Sequence, residues 1–185
     1  MGLFAIQLAR YIATETGKVV VSCSSGNVDF VKQYGADDAV DYTSVQVPIY
    51  LSQNYSTAPF DLILDCVGSS FDLFSASPAF LKPKGEFVVI GAPVPHSFSG
   101  MVVMIFKVAK AMFLPHILGG VPRRYNLLMM DVTKDKVENV GKLVDEKKLK
   151  PTLDSIWDFN DEGIKAAYTK IMTRHARGKV VIRLT

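Results

Sequence analysis

Apolar and polar positions alternate along the chain in two recurring patterns. In the opening stretch Phe4, Leu8 and Ile12 lie four apart and make one stripe of a helix, with Ala5 and Ala9 beside them small enough for close packing on a sheet. Lys18–Cys23 (KVVVSC) is a short β-branched run, apolar through its middle, as in a parallel strand buried on both faces. Ser24-Ser25-Gly26-Asn27 has turn chemistry. Val28–Tyr34 predicts a short helix with Gly35 as its C-cap, and Ala36–Tyr42 a short strand. Residues 43–58 are polar and irregular, with room for at most one helix. Phe60–Asp65 (FDLILD) is a second buried strand that runs into Cys66-Val67-Gly68. A helix is predicted from Phe71 to about Leu81, interrupted at Pro78. Lys82-Pro83-Lys84-Gly85 follows as a turn, and Glu86–Ile90 as a third apolar strand ending in Gly91-Ala92-Pro93.

Strand, helix and strand at this spacing predict an α/β fold built on a parallel sheet. In such sheets a ligand lies beyond the carboxyl ends of the strands. The loops there hold Ser24-Ser25, Val67-Gly68 and Gly91-Ala92, small residues that leave room for a bound cofactor. Gly2, at the start of the first helix, allows the backbone to come close to a phosphate, which a helix N-terminus attracts through its free N–H groups and dipole.

The second half is patterned differently. Met101–Gly120 is largely apolar, but Lys107, Lys110, Pro115 and His116 interrupt it, so it predicts a helix over an active-site edge or a subunit interface, not a membrane span. Arg124–Met130 alternates weakly and suits an edge strand. Thr133 is placed to cap a helix running to about Lys148, with Val137, Val140, Leu143 and Val144 on its apolar face. The tail predicts a strand at Ser155–Phe159, a helix at Asp161–Ala176 and a last strand over Gly178–Leu184, three elements that need a partner surface of their own.

Composition narrows the function classes. The 185 residues are 49% hydrophobic and 21% charged, with a net charge of +3, which describes an ordinary globular domain. The positive residues are scattered apart from Lys147-Lys148-Leu149-Lys150 and Arg174-His175-Ala176-Arg177, too few to indicate nucleic acid as a partner. Cys23 and Cys66 sit in separate apolar strands and suit buried free thiols. No Cys-x-x-Cys or Cys/His cluster predicts a metal site. No secretory signal or transit peptide is visible.

Four stretches occur in fixed order: Tyr34-Gly35-Ala36-Asp37-Asp38, Val40-Asp41-Tyr42, Leu62-Ile63-Leu64-Asp65-Cys66-Val67-Gly68 and His175-Ala176-Arg177-Gly178-Lys179-Val180-Val181-Ile182. Together they resemble the medium-chain dehydrogenase/reductase superfamily over nearly the whole chain. The branch is similar to the zinc-independent quinone oxidoreductases, among them the reticulon-interacting mitochondrial NADPH oxidoreductases and the fungal proteins termed zinc-type alcohol-dehydrogenase-like. Met1-Gly2 falls on the last two positions of that family's A-x-G-G-V-G loop. The resemblance implies that a catalytic domain and the first strand of the cofactor domain precede this point. The chain is therefore expected to be N-terminally truncated, with residues 1–150 a partial Rossmann domain and 151–185 a segment that would pack on the absent catalytic domain. In the strand order 3-2-1-4-5-6 the missing strand is central. Lys18–Cys23 and Phe60–Asp65 should each pair with it and not with one another.

The resemblance also implies chemistry. NAD-selective sites carry an acidic side chain at the end of the second strand. Here that end is Cys23-Ser24-Ser25-Gly26-Asn27, without a carboxylate, so NADPH is the expected cofactor. Relatives often have arginine at the position of Asn27. Tyr42 matches a family tyrosine near the adenosine phosphate, with Lys18 and Lys32 as nearby basic candidates. Gly2, Ser24, Ser25, Asn27 and Tyr42 would hold the adenosine side, and Cys66, Val67, Gly68, Gly91, Ala92 and Pro93 the nicotinamide side. The implied reaction is hydride transfer to a quinone or enone, in which the protein mostly orients the reactants. No residue is named as catalytic: His96 and His116 are candidate donors whose ordinary reading is exposed loop histidines, and His175 matches the family tail and is read as structural. A homodimer through Arg124–Met130 and a cytoplasmic or mitochondrial location complete the expectation. The competing class is a non-enzymatic NADPH-binding or interaction module.

Overall fold

The computed structural model describes residues 2–13, 16–68, 71–91, 97–128, 131–173 and 175–184. Helix α1 (Gly2–Ala13) turns Ile6 and Gln7 inward and is followed by β1 (Val20–Cys23). A 3-10 turn over Ser25–Asn27 leads into α2 (Val28–Gln33). Gly35 then takes φ +106°, and a Cβ there would sit 2.9 Å from that of Arg10, so glycine ends the helix on both steric and conformational grounds. β2 (Asp38–Asp41) pairs in parallel with β1, Val20 opposite Asp38 and Cys23 opposite Asp41. Arg10 fastens α1 to this unit by donating to Gly35 O and Gly17 O, both at 3.0 Å, and by pairing with Asp37.

Helix α3 (Val47–Asn54) fills the polar stretch, with Pro48 in its first turn, where a missing N–H costs nothing. β3 (Phe60–Asp65), β4 (Leu81–Ile90) and β5 (Arg124–Leu128) form a parallel sheet in that order. The helix expected over 71–81 is shorter. α4 (Phe71–Ala76) gives way to a 3-10 turn over Ser77–Ala79 at Pro78, and Leu81 already belongs to β4. The expected turn at 82–85 is a bulge within that strand, because pairing jumps from Phe60–Leu81 to Leu62–Glu86. Burial of Leu81, 1% exposed, draws the strand back to begin there.

Helix α5 (Phe98–Phe113) lays Val108 and Ala111 against the β3-β4-β5 core and leaves Phe98, Phe106 and Phe113 exposed. Among the described residues no helix is long and apolar enough to cross a membrane. After β5 come α6 (Lys134–Asp145), β6 (Leu153–Asp158), α7 (Asp161–Met172) and β7 (Lys179–Arg183). Thr133 stands at the N-terminus of α6 without a side-chain capping bond. Asn160 does cap α7, its Oδ1 accepting from Gly163 N–H at 2.7 Å. β6 and β7 pair with each other in parallel.

Among the described residues all the ladders are thus parallel, as expected, but they form three sheets. Among the described residues β1 pairs only with β2 and β3 only with β4, so β1 and β3 share no ladder. The two units are joined by packing. Val40 and Leu51 meet Tyr55 and Phe80 in one cluster, and Phe60 and Ile63 contact both that cluster and the core around Phe74, Phe87 and Tyr125.

Candidate functional site

The start of α1 faces the carboxyl end of β1. Its first N–H groups have no partners within the helix, and a Cβ on Gly2 would meet nothing within 4 Å, so the space in front is open. A cleft of about 310 Å³ lies there, lined by Gly2 and Leu3, by Cys23 at the end of β1 and Ser24 and Asn27 beyond it, by Tyr42 beyond β2, and by residues 175–179 of the tail. Gly2, Ser24, Asn27 and Tyr42, separated in sequence, share this one cleft, with Ser25 in the adjoining 3-10 turn.

The 24–27 turn is preorganised. Asn27 Nδ2 donates to Ser24 Oγ at 3.0 Å, while Asn27 Oδ1 is buried without a protein partner. An unpaired buried acceptor is costly unless a ligand donor, such as a ribose hydroxyl, satisfies it. Burial pushes the Cys23 thiol up, and the neighbouring Asp41 carboxylate adds to this, so the sulfur stays protonated. Cys66 is shifted in the same direction, chiefly by burial. Both thiols suit packing better than nucleophilic chemistry.

The cleft's charge comes from Lys150 and from Arg177 and Lys179 of the tail. Lys150, His175, Arg177 and Lys179 line it, and no carboxylate appears among its described lining residues. Lys18 and Lys32 do not line it. Lys18 lies 3.9 Å from Asp38 and over the Tyr55 ring. Sequence reasoning missed Lys150, Arg177 and Lys179. The ordered ending His175–Ile182 marked the tail as a family feature but did not show which loop it meets. His175, read from the sequence as structural, lines the cleft.

The remaining expected residues lie elsewhere, at the carboxyl ends of β3 and β4. Asp65 Oδ1 accepts from the N–H groups of Val67 and Gly68, both at 2.9 Å, and shapes the Cys66-Val67-Gly68 loop. Gly68 has φ +77° and Gly91 φ +85°, turns that favour glycine. None of Cys66, Val67, Gly68 and Gly91 lines the first cleft. Ala92, Pro93 and His96 lie outside the described residues, and His116 sits in the 3-10 turn after α5.

A parallel α/β unit with an open helix N-terminus beside a basic, hydroxyl-lined strand end is a nucleotide-binding type of protein. The match to the zinc-binding dehydrogenase family model over residues 34–182 makes this specific: the chain belongs to that family. It is 31% identical to the trans-enoyl reductase poxH of Penicillium oxalicum over 187 residues, covering 100% of this chain and 47% of that protein. Against the medium chain reductase pydE of an Acremonium species it is 39% identical over 173 residues, covering 91% and 45%. Among solved structures, the quinone oxidoreductase from Coxiella burnetii superposes with a TM-score of 0.68 at 27% identity, covering 100% of this chain and 49% of that one. The chain spans about half the length of the curated relatives it matches. By name these relatives are reductases and an oxidoreductase, and the superposition gives this chain the α/β fold of the corresponding half of the last. Despite the family's name, no three His, Cys, Asp or Glu side chains converge among the described residues, so these residues do not assemble the donor set of a zinc site.

Proposed function

We propose that the chain is the cofactor-binding part of an NADPH-dependent reductase of enones or quinones. The observation that carries this is the cleft between Gly2 and Arg177, lined by hydroxyl, amide and basic groups with no carboxylate among its described lining residues. The start of α1 would face the pyrophosphate, and Ser24, Ser25, Asn27 and Tyr42 the adenosine end. When bound, the nicotinamide supplies the hydride. Cys66, Val67, Gly68 and Gly91, with Ala92 and Pro93, would hold the nicotinamide side. The chain's own part is to bind and orient the cofactor, with no acid/base pair assigned. The names of the relatives, an enoyl reductase and a quinone oxidoreductase, support the substrate class.

The split between β1 and β3 supports a further strand lying between them, so that one sheet would run β2-β1-x-β3-β4-β5. This matches a central first strand, supplied with a catalytic domain by polypeptide outside residues 1–185. On this reading residues 1–150 form the partial Rossmann domain and 151–185 return to that second domain. The outer edge of β5 is the surface for a second copy, testable by analytical ultracentrifugation. Function is tested by following NADPH absorbance with small quinones and enones. Turnover supports the reductase, and cofactor binding without turnover supports a non-enzymatic NADPH-binding module instead.

A further inference from the structure

From Phe87 to Met130 the sequence contains no Asp or Glu, and its charged residues are Lys107, Lys110, Arg123 and Arg124. Helix α5 lies in the middle of this segment and turns Val108 and Ala111 toward the core of the β3-β4-β5 sheet. Helical spacing puts Phe98, Val102, Phe106, Ala109 and Phe113 in one row along the opposite side. All five are exposed, the three phenylalanines by 78%, 77% and 76%. Ile117, in the 3-10 turn that follows, is 94% exposed. Single apolar side chains are ordinary on a protein surface, but a continuous row the length of a helix marks a face that something covers.

The charge beside the row is positive. Lys107 and Lys110 are both exposed and lie about one turn apart on one flank of it. The two arginines of the segment are used elsewhere. Arg123 donates to Leu81 O at 2.8 Å and to Pro78 O at 3.0 Å, and Arg124 pairs with Glu86. These charges decide between occupants. A two-fold contact sets the same patch on both partners, so a second copy docked here would bring the same lysines and no carboxylate from the segment to meet them. A surface that is apolar within and negative at its rim complements the row and its flank together.

We propose that α5 is an interfacial helix that seats the protein on an anionic membrane surface. Its 16 residues extend about 24 Å, too short to span a bilayer but long enough to lie in its plane. Phe98, Phe106 and Phe113, with Ile117, enter the boundary between headgroups and acyl chains. Lys107 and Lys110 reach the lipid phosphates from the flank. Val108 and Ala111 keep the helix on the sheet, so the membrane meets a row that is already formed. This goes beyond the proposed reductase and does not depend on its cofactor.

The test is flotation of the 185-residue protein with vesicles of phosphatidylcholine, alone or mixed with phosphatidylglycerol. The mixed vesicles should carry the protein about tenfold better or more than the neutral ones, and that binding should fall as salt rises. Phe106→Ser and Phe113→Ser should each weaken binding to mixed vesicles by about tenfold or more. Lys110→Gln should weaken it by about fivefold and leave neutral vesicles unaffected. Phe159→Ser, at an exposed apolar residue of the tail, should change nothing. All four side chains are exposed, so each variant should keep the wild-type circular dichroism. Failure to float with mixed vesicles overturns the inference, as does equal binding to both vesicle types or an equal loss in Phe159→Ser. A dimer in sedimentation equilibrium that Phe106→Ser dissociates puts a second copy on the face and overturns it too. A chain extended upstream must float as well. If only the 185-residue protein floats, a further domain covers α5 and the inference fails.

Discussion

Gln7 and Lys150 close a reciprocal pair of hydrogen bonds: Gln7 Oε1 accepts from Lys150 N–H at 2.7 Å, and Gln7 Nε2 donates to Lys150 O at 3.2 Å. The amide, 8% exposed, couples the first helix to the segment that leads into β6, and Nε2 also bonds Leu3 O in its own helix. Gln7→Leu strands the backbone N–H and C=O of Lys150. The expected cost is about 2–3 kcal/mol. Thermal unfolding should fall by several degrees, and an unchanged midpoint would remove this contact from the account of how the tail docks.

Asp38 and Tyr55 give a pH signature. Tyr55 Oη donates to Asp38 Oδ2 at 2.7 Å. That bond, opposed by burial and helped by Ala39 N–H and nearby lysines, holds the Asp38 carboxyl below the usual range. A lowered carboxyl pKa contributes stability above the unfolded value, near pH 3.9, that is lost as pH falls through the folded one. Burial and then Asp38 push the Tyr55 phenol well up, so its contribution is intact below about pH 10 and lost as pH rises further. Tyr55→Phe should therefore flatten both the acid and the alkaline limbs of the stability profile. Urea titrations from pH 2 to 11 check this, and parallel profiles for the two proteins count against it.

Asp65 shapes the loop after β3 through two backbone N–H bonds at 2.9 Å. Asp65→Ala is expected to destabilise the protein by about 3 kcal/mol, since each bond involves a charged acceptor. Asp65→Asn retains an acceptor and should lose less. Amide exchange at Val67 and Gly68 is the local readout, and should rise most in the alanine variant.

Gly178→Ala tests the presentation of the tail. Both the left-handed φ and the 2.5 Å approach to Thr152 O oppose a side chain. A loss of about 1–3 kcal/mol is expected from backbone strain.

The open space before Gly2 bears on cofactor affinity. A glycine-loop segment preceded by a strand, joined upstream, would add backbone N–H bonds to the pyrophosphate, each contributing about 1.5–3 kcal/mol. The 185-residue chain alone should bind NADPH weakly, and the extended version more than tenfold better. Side-by-side nicotinamide fluorescence titrations decide it. Tight binding by the shorter chain contradicts a missing strand between β1 and β3.

Local pattern was sufficient for what depends on near neighbours. The β-branched run at 18–23 became β1 and the apolar run at 60–65 became β3, Gly35 ended α2, Pro78 broke the helix after α4, and the parallel class followed from strand-helix-strand spacing. Gly2, Ser24, Asn27 and Tyr42 were grouped by the family resemblance, and they line one cleft in the structure. The extent of β4 was not legible. The chemistry of Lys82–Gly85 is that of a turn, and only the burial of Leu81 against the sheet turns it into a bulge. Tertiary structure alone decided the charge of the cleft. Arg177 looks like a solvated residue in a polar tail, and its approach to Gly26 depends on β6 and β7 pairing and on Gln7 and Tyr34 holding Lys150 and Thr152. No periodicity carries information across 151 residues, because contacts at that separation are chosen by how whole elements pack.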